Sequence, residues 1–309
     1  MEYPERIHLE LTTHCNLNCI YCSNKYLKKI HMYPVVADIA LNVLIPNCKE
    51  IELQGTGESL LYPDFKKVIS YADRYNCNKV IISNGMRLDK KILNYLINTN
   101  SQIVISIDGA NEQTYQIHRP KGDFNRIIAN LSNWEKIISQ KKNNNASLII
   151  HMTLTKYNLL QIPEMLKMIK RMKLDGLYVS TVKIGKNPLK IWDEISLNSF
   201  HDEINDQMHI SKELAKELGL IFGSSFLSLK KKNVSSNIRA FCPAPWKHLY
   251  ITATGDVFPC CQFKESMGNI SNNTFEEVWE GKKFITFRNS FSKGIISNEC
   301  KECILPWCL

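Results

Sequence analysis

Strand-like and helix-like patterns alternate over residues 6–182, and this order constrains the fold more than any other feature of the chain. Short apolar runs fit strands, and the apolar residues between them recur at helical spacing. Six such β-α pairs in series predict a parallel sheet with helices on its outside, two pairs short of a closed eight-stranded barrel. We therefore expect an open, partial (β/α)6 barrel. Its predicted strands are 6–12, 51–54, 79–83, 102–107, 148–154 and 176–182, and its clearest predicted helices are 64–75, 89–99, 123–140 and 160–172.

Length and composition fit a folded chain without a membrane segment. The chain has 309 residues, of which 44% are apolar and 22% charged, and no run of 18 apolar residues occurs. The first ten residues lack the apolar core of a signal peptide. We therefore predict a cytoplasmic protein without membrane contact. Its 11 cysteines then favour metal binding over a disulfide framework.

The chain is basic, with 39 Lys and Arg against 30 Asp and Glu, and a formal net charge of +9. That balance fits an anionic substrate, an acidic peptide or a nucleic acid. The only tight basic run, residues 230–232, lies in a polar stretch and is predicted to be a solvated loop. We therefore predict no nucleic-acid binding.

Three cysteines, Cys15, Cys19 and Cys22, follow the first predicted strand with the spacing C-x3-C-x2-C. A four-iron cluster is ordinarily held by four thiolates. Three ligands would leave one iron open for a substrate or cofactor, as in catalytic zinc sites. The loop also lies at the carboxyl end of a strand, where α/β barrels carry their chemistry. A zinc or redox cysteine cluster is the alternative.

This cysteine spacing, with Tyr21 directly before the last cysteine, resembles the signature of the radical S-adenosylmethionine (SAM) superfamily. The resemblance implies a TIM-like (β/α)6 core and a [4Fe–4S] cluster on the three cysteines, whose open iron binds SAM. It implies that reduction cleaves SAM to a 5′-deoxyadenosyl radical, which takes a hydrogen atom from the substrate. It also places Tyr21 among the cofactor-binding residues. A flavodoxin- or ferredoxin-like protein is the expected electron donor.

The second predicted strand ends at a glycine-rich turn, Gly55-Thr56-Gly57-Glu58. Glycine lets the backbone approach a ligand closely, and a buried carboxylate pairs well with an ammonium group. The turn resembles the GGE motif of the superfamily, with Thr56 in place of the second glycine. The resemblance implies that Gly57 and Glu58 contact the amino group of SAM.

Polar residues also end the third and fourth predicted strands, namely Ser83 and Asn84, then Ser106 and Asp108. They resemble positions that hold the ribose or the methionine carboxylate of SAM, although Asn-Gly and Asp-Gly are also ordinary turn sequences. Arg119 is a further candidate, because a guanidinium binds a carboxylate through two hydrogen bonds. A surface arginine is the alternative for Arg119.

Residues 185–240 are more polar and contain one helical period, over 197–218. We predict that they form a helical bridge between a barrel domain over 1–184 and a cysteine-rich domain over 241–309. In the latter, two short apolar runs around Gly255 predict a β-hairpin, and a helix is predicted around Trp279. Cysteines at the base of the hairpin and in a later C-x2-C pair can converge on one tetrahedral cluster.

The order of cysteines, Gly-Asn-Ile and tryptophan in this domain resembles the SPASM/twitch extensions of radical SAM enzymes. The resemblance implies an auxiliary [4Fe–4S] cluster, in the shorter twitch form with a single auxiliary cluster. A zinc site on the same thiolates is the alternative. The implied ligands are Cys242, Cys260, Cys300 and Cys303.

Cys261 is left over beside a predicted ligand. In radical SAM epimerases, a free cysteine near the site returns a hydrogen atom to the substrate radical, and the resemblance makes Cys261 a candidate for this role. The alternatives are a packed thiol or a ligand in place of Cys260. No role is predicted for Cys308, and Cys48 and Cys77, which stand apart from both clusters, are predicted to be core or incidental residues.

The predicted function is SAM-dependent radical chemistry. Only 14 residues precede the first cluster cysteine, which leaves no room for the N-terminal peptide-recognition domain common in peptide maturases of the superfamily. The compact plan resembles the 2-deoxy-scyllo-inosamine dehydrogenases, so oxidation or epimerisation of a sugar- or aminocyclitol-like molecule is predicted first. A peptide-modifying maturase that epimerises or crosslinks its substrate is the alternative. A non-catalytic iron–sulfur protein, with a redox or binding role, is a more distant alternative.

Overall fold

The structure, a computed structural model, describes residues 2–140, 145–182, 191–225, 242–295, 297–301 and 303. The described residues fall into two compact units. The first unit takes its residues from Met1–His14, Lys28–Val80 and Ser228–Leu309, and the second from Cys15–Leu27 and Ile81–Leu227.

Ten strands and thirteen α-helices form within the described ranges. The strands are β1 (Arg6–Leu9), β2 (Glu50–Leu53), β3 (Asn78–Ser83), β4 (Gln102–Ser106), β5 (Ser147–Leu154), β6 (Gly176–Thr181), β7 (Ile221–Ser224), β8 (His248–Ile251), β9 (Asp256–Phe258) and β10 (Gly268–Asn269). The helices are α1 (Pro34–Ile39), α2 (Phe65–Arg74), α3 (Lys90–Asn98), α4 (Glu112–His118), α5 (Phe124–Leu131), α6 (Trp134–Ile138), α7 (Ile162–Arg171), α8 (Ile191–Ile195), α9 (His201–Leu218), α10 (Ala244–Lys247), α11 (Phe275–Trp279), α12 (Lys282–Ser292) and α13 (Asn298–Lys301).

In the first unit, the strand order is β10-β9-β8-β1-β2. β1 pairs in parallel with both β2 and β8, whereas β8, β9 and β10 pair antiparallel. The predicted hairpin therefore forms, and its first strand extends the sheet of β1. Alternate side chains of the three parallel strands are almost fully buried and form the core beneath the site: Ile7, Leu9, Ile51, Leu53, Leu249 and Ile251.

In the second unit, β4, β5, β6 and β7 follow one another as a parallel sheet. The strand order is linear within each unit, so the described strands do not close on themselves, as expected for a partial barrel. β7 lies in the region predicted as a helical bridge. It forms because α9 ends at Gly219, whose φ of +67° provides a left-handed helix end and turns the chain back beside β6.

All six predicted strands are present, and their ends agree with the prediction to within three residues. The predicted helix 123–140 is wrong as a single element, because it is broken between α5 and α6 at Ser132 and Asn133. α1 and α4 were not predicted. The basic run 230–232 and Cys308 lie outside the described residues. Within the described part of the chain, every helix is too short or too polar to cross a membrane.

Candidate active site

The three N-terminal cysteines lie on residues 15–22, here named the cluster loop, at the start of the second unit. Two of their sulfurs already accept backbone hydrogen bonds. Leu17 N donates to Cys15 Sγ at 3.5 Å, and Asn24 N donates to Cys22 Sγ at 3.4 Å. Donors of this kind orient metal-binding thiolates and stabilise their charge.

Asn84, directly after β3, also contacts the cluster loop. Its Nδ2 donates to Asn16 Oδ1 at 2.9 Å and lies 3.9 Å from Cys15 Sγ. Its Oδ1 accepts from Met86 N at 3.0 Å, which fixes the side chain from the other end. Ser83, one residue earlier, is buried, and its Oγ accepts from Gly85 N at 3.0 Å. Asn84 is thus placed against a predicted cluster ligand, whereas Ser83 shapes the turn.

The pKa of a cysteine in the cluster loop indicates whether its thiol suits a cationic group. Burial raises the pKa of Cys19, Arg119 lowers it, and the negative charges of Asp108, Cys22 and Cys15 raise it, so that the pKa lies at about 11. Such a thiol gives up its proton when a metal binds, because the cation offsets the burial and the repulsion. The donor set therefore fits an iron–sulfur cluster.

A buried ion pair lies beneath the cluster loop. The Tyr21 hydroxyl donates to Asp108 Oδ2, and Arg119 donates through Nε to Asp108 Oδ2 at 2.5 Å and through Nη2 to Tyr21 Oη at 3.0 Å. Thr153 N donates to Asp108 Oδ1 at 2.7 Å. Burial acts to raise the pKa of Asp108, but Arg119 and Tyr21 outweigh it and hold that pKa below its usual range.

These contacts fasten the loop to the barrel. Ile20 N donates to the backbone oxygen of His118 at 3.0 Å, and Trp192 Nε1 donates to that of Tyr21 at 3.3 Å. Both carboxylate oxygens of Asp108 accept hydrogen bonds from within the chain, and Arg119 is only 6% exposed. In this arrangement Asp108 and Arg119 position the loop, while their contact with SAM stays a prediction.

In the first unit, the Gly57-Glu58 turn packs against the backbone that leads into the cluster loop. A Cβ on Gly57 would lie 2.2 Å from Thr12 O and 2.7 Å from His14 O. Only glycine therefore lets the two backbone segments lie this close together. Glu58 N donates to His14 O at 2.8 Å. Glu58 is 2% exposed, and its Oε1 accepts from Leu60 N at 3.2 Å.

Glu10 is a site residue that the sequence reasoning missed. Its Oε1 accepts from Thr56 N and from Thr56 Oγ1, each at 2.8 Å, and its Oε2 accepts from Ala253 N at 3.3 Å. It therefore holds the glycine-rich turn and the hairpin together. The sequence does contain a signal for Glu10, because it places a carboxylate between Leu9 and Leu11, at the end of an otherwise apolar strand.

A polar row crosses the sheet of the second unit. Ser106 pairs with His151, which pairs with Tyr178, so the three side chains lie on one face of β4, β5 and β6. All three are half-buried. His151 Nε2 lies 2.9 Å from Ser180 Oγ, and its ring stacks on Tyr178 with centroids 5.8 Å apart. The row offers hydrogen-bonding groups to a bound molecule.

The four predicted auxiliary ligands all line one cavity in the first unit, together with Phe263, Phe287 and Phe291. Burial raises the pKa of two of these thiols, Cys260 and Cys300, and that of Cys260 lies at about 12. Four thiols in an apolar enclosure suit a cationic cluster, because its charge replaces the protons that burial would otherwise retain. The lining cysteines are Cys242, Cys260, Cys300 and Cys303.

Cys261 is not among the described residues that line this cavity. Its side chain instead hydrogen-bonds His8, whose ring contacts Gln54 O at 3.1 Å and packs on Tyr250 with centroids 4.7 Å apart. This placement favours Cys260 over Cys261 as the cluster ligand.

Cys48 and Cys77 are buried, as the sequence predicted, but they do not stand alone. Their sulfur atoms lie 3.4 Å apart, and both thiols are free. The contact joins the chain just before β2 to the chain just before β3.

Comparison with known proteins identifies the class. The model of the radical SAM superfamily matches residues 9–169, and that of the SPASM iron–sulfur cluster-binding domain matches residues 242–304. The chain therefore belongs to the radical SAM superfamily and carries a C-terminal SPASM domain. Its cofactors are accordingly a [4Fe–4S] cluster, SAM and an auxiliary iron–sulfur centre.

Individual relatives are distant. The chain is 24% identical to the AdoMet-dependent heme synthase of Methanosarcina barkeri, over 97% of this chain and 88% of that protein. It is also 24% identical to the mycofactocin maturase MftC of Mycolicibacterium smegmatis, over 98% and 76% respectively. The fold matches that of Streptococcus suis SuiB bound to S-adenosylmethionine, with a TM-score of 0.77 and 17% identity over 98% of this chain and 72% of that one. These likenesses do not support the predicted sugar- or aminocyclitol-like substrate.

Proposed function

We propose that this radical SAM enzyme abstracts a hydrogen atom from a peptide substrate. When bound, the cluster on the cluster loop supplies the electron that cleaves SAM to methionine and a 5′-deoxyadenosyl radical. The observation that carries this proposal is the cluster loop itself, in which backbone and Asn84 donors lie on the sulfurs of two of the three cysteines, Cys15 and Cys22. Three such ligands leave one iron for SAM.

In this proposal, the residues around the cluster loop bind SAM and hold the loop in place. Glu58 is a buried carboxylate suited to the SAM ammonium group, and Gly57 lets the turn lie on the backbone before Cys15. Asp108 and Arg119 hold the loop in place through Tyr21. A radical enzyme needs this rigidity, because a displacement of about 1 Å at the reacting atoms costs about 100-fold in rate.

Two likenesses support a peptide as the substrate. MftC is named a maturase, and SuiB has been crystallised with its precursor peptide SuiA, in a structure that matches this chain with a TM-score of 0.72. The polar row of Ser106, His151 and Tyr178 suits such a substrate, because peptide groups both donate and accept hydrogen bonds. Because one relative is named a heme synthase, a tetrapyrrole is the competing substrate class that an experiment has to exclude.

A substrate panel tests this proposal. Reconstituted enzyme, dithionite and SAM would be mixed under anaerobic conditions with three kinds of compound. These are a set of short peptides that includes the precursor peptide SuiA, an iron-containing tetrapyrrole and 2-deoxy-scyllo-inosamine. We expect a peptide to stimulate 5′-deoxyadenosine formation and to change in mass. Stimulation by either of the other compounds, with every peptide unchanged, would contradict the peptide assignment.

Cys261 provides a prediction about the type of reaction. A thiol that donates its hydrogen atom to a carbon radical of the substrate becomes a thiyl radical, and it needs one electron and one proton to return. If this thiol has that role, product formed in heavy water contains deuterium at the abstracted position, and Cys261→Ala removes the deuterium while SAM cleavage continues. Cys77→Ala is the matched control, since Cys77 is a buried thiol outside both cysteine groups. Deuterium uptake that persists in Cys261→Ala would rule out Cys261 as the donor.

A further inference from the structure

Cys48 and Cys77 are a pair of thiols in contact within the first unit. Their sulfur atoms lie 3.4 Å apart, and both cysteines are free. A disulfide has a sulfur–sulfur distance of about 2.05 Å, so the two sulfurs would have to approach by only about 1.4 Å. Rotation about the side-chain bonds can supply a movement of that size. The two sulfurs are therefore within reach of a covalent bond.

The backbone holds the two cysteines side by side. Asn78 N donates to Lys49 O at 2.8 Å, which joins the residue after Cys77 to the residue after Cys48. Cys77 N donates to Ala72 O at 2.8 Å and ties the chain after α2 back to that helix. Cys77 is 1% exposed and Cys48 9% exposed. The contact is thus set by the fold and is not a chance approach of two surface side chains.

One thiol of the pair is the better nucleophile. The hydrogen bond from the Cys48 thiol lowers the pKa of Cys77 and outweighs the effect of burial, and the ammonium group of Lys79 lowers that pKa further. The thiolate is the form of cysteine that reacts with peroxides and disulfides. The same hydrogen bond raises the pKa of Cys48, which stays a thiol. A reactive thiolate next to a second thiol is the arrangement found in redox-sensing cysteine pairs.

We propose that Cys48 and Cys77 form a reversible oxidation site, at which hydrogen peroxide converts the two thiols to a disulfide. The Cys77 sulfur attacks one oxygen of the peroxide, the O–O bond breaks, and the second oxygen leaves as water with the proton of the thiol. The Cys48 sulfur then attacks the resulting sulfenic acid, so that an S–S bond forms, the S–O bond breaks and a second water leaves. The two thiols lose two electrons, which the peroxide takes up.

This oxidation site does not depend on the proposed function. Cys48 and Cys77 lie outside both predicted ligand sets, so they stay available when iron fills those sets. In a reducing compartment the pair rests as two thiols, and the disulfide is a transient, redox-sensing state. Once formed, the disulfide links positions 29 residues apart and restricts the unfolded chain, so that the oxidised protein resists unfolding better.

The test maps disulfides in the reconstituted enzyme after anaerobic exposure to a small excess of hydrogen peroxide. The remaining thiols would be alkylated in denaturant and the digest analysed by mass spectrometry, with and without prior dithiothreitol. We expect a pair of peptides linked through Cys48 and Cys77, with loss of alkylation at both residues that dithiothreitol reverses. The midpoint of anaerobic thermal unfolding should rise by about 5 °C or more with the link.

Cys48→Ser removes the link, and Cys261→Ala is the matched control, because Cys261 is a further free cysteine outside the predicted ligand sets. We expect neither the disulfide nor the rise in unfolding temperature in Cys48→Ser, and both in Cys261→Ala. Full alkylation of Cys48 and Cys77 after peroxide would overturn the proposal, as would a disulfide from either residue to a third cysteine or oxidation of the pair only to separate sulfinic acids. These outcomes are read in the unmodified enzyme, so they hold even if a variant fails to fold.

Discussion

Gly57→Ala is expected to lower SAM cleavage by about 100-fold or more, the cost of misplacing reacting groups by about 1 Å. The added Cβ would lie 2.2 Å from Thr12 O, and backbone oxygen cannot yield as a flexible side chain does. The turn or the strand end before Cys15 must therefore shift. Because Glu58 follows directly, the shift displaces both the proposed SAM contact and the start of the cluster loop.

The measurement is the rate of 5′-deoxyadenosine formation with dithionite, together with iron content and circular dichroism. The matched control is Gly294→Ala, where φ is +73° and no atom lies within 4 Å of the added carbon. That substitution strains the backbone by about 1–2 kcal/mol without touching the site. Full activity in a folded Gly57→Ala enzyme would contradict the proposed role of the turn.

Asp108→Ala is expected to cost about 3–5 kcal/mol of unfolding free energy, the usual result of leaving one charge of a buried pair without its partner. Asp108 is fully buried and Arg119 nearly so, which leaves the guanidinium no route to water. Tyr21 loses its acceptor in the same variant, so the cluster loop loosens as well. We therefore expect weaker SAM binding in addition to lower stability.

Anaerobic urea unfolding measures the first effect, and a SAM titration measures the second. Glu135→Ala is the control, because its ion pair with Lys173 is exposed and worth about 0–1 kcal/mol. The double variant Asp108→Ala/Arg119→Ala should be less destabilised than the sum of the single variants, since removing both charges leaves none unpaired. Equal effects of Asp108→Ala and Glu135→Ala would show that the buried pair does not anchor the loop.

The positions of the parallel strands were predictable because each of them, such as β5, is a short apolar run between turn residues. The break between α5 and α6 was not, because the apolar spacing continues through Ser132 and Asn133 although the backbone hydrogen bonding does not. β7 was missed for a related reason. Its four residues, Ile-Phe-Gly-Ser, become a strand only through pairing with β6.

At the site, motif spacing identified which residues matter but not what they touch. Cysteine spacing singled out Cys260 and Cys261 together, and only their different surroundings separate them, an apolar cavity for one and His8 for the other. Glu10 lies far in sequence from Thr56 and Ala253, so its three hydrogen bonds depend on strand pairing that no local pattern encodes. The same limit applies to Asp108, whose partners Tyr21 and Arg119 are brought to it by the fold.

The central claim is that the thiols of the cluster loop support reductive cleavage of SAM. The most direct measurement is the amount of 5′-deoxyadenosine formed per chain with dithionite, in the unmodified enzyme and in Cys15→Ala/Cys19→Ala/Cys22→Ala. We expect multiple turnovers in the unmodified enzyme and none in the triple variant. The triple variant should keep the iron of the SPASM domain, about four atoms for one [4Fe–4S] cluster. 5′-Deoxyadenosine formation by the triple variant, or none by an unmodified enzyme with its full iron content, would contradict the claim.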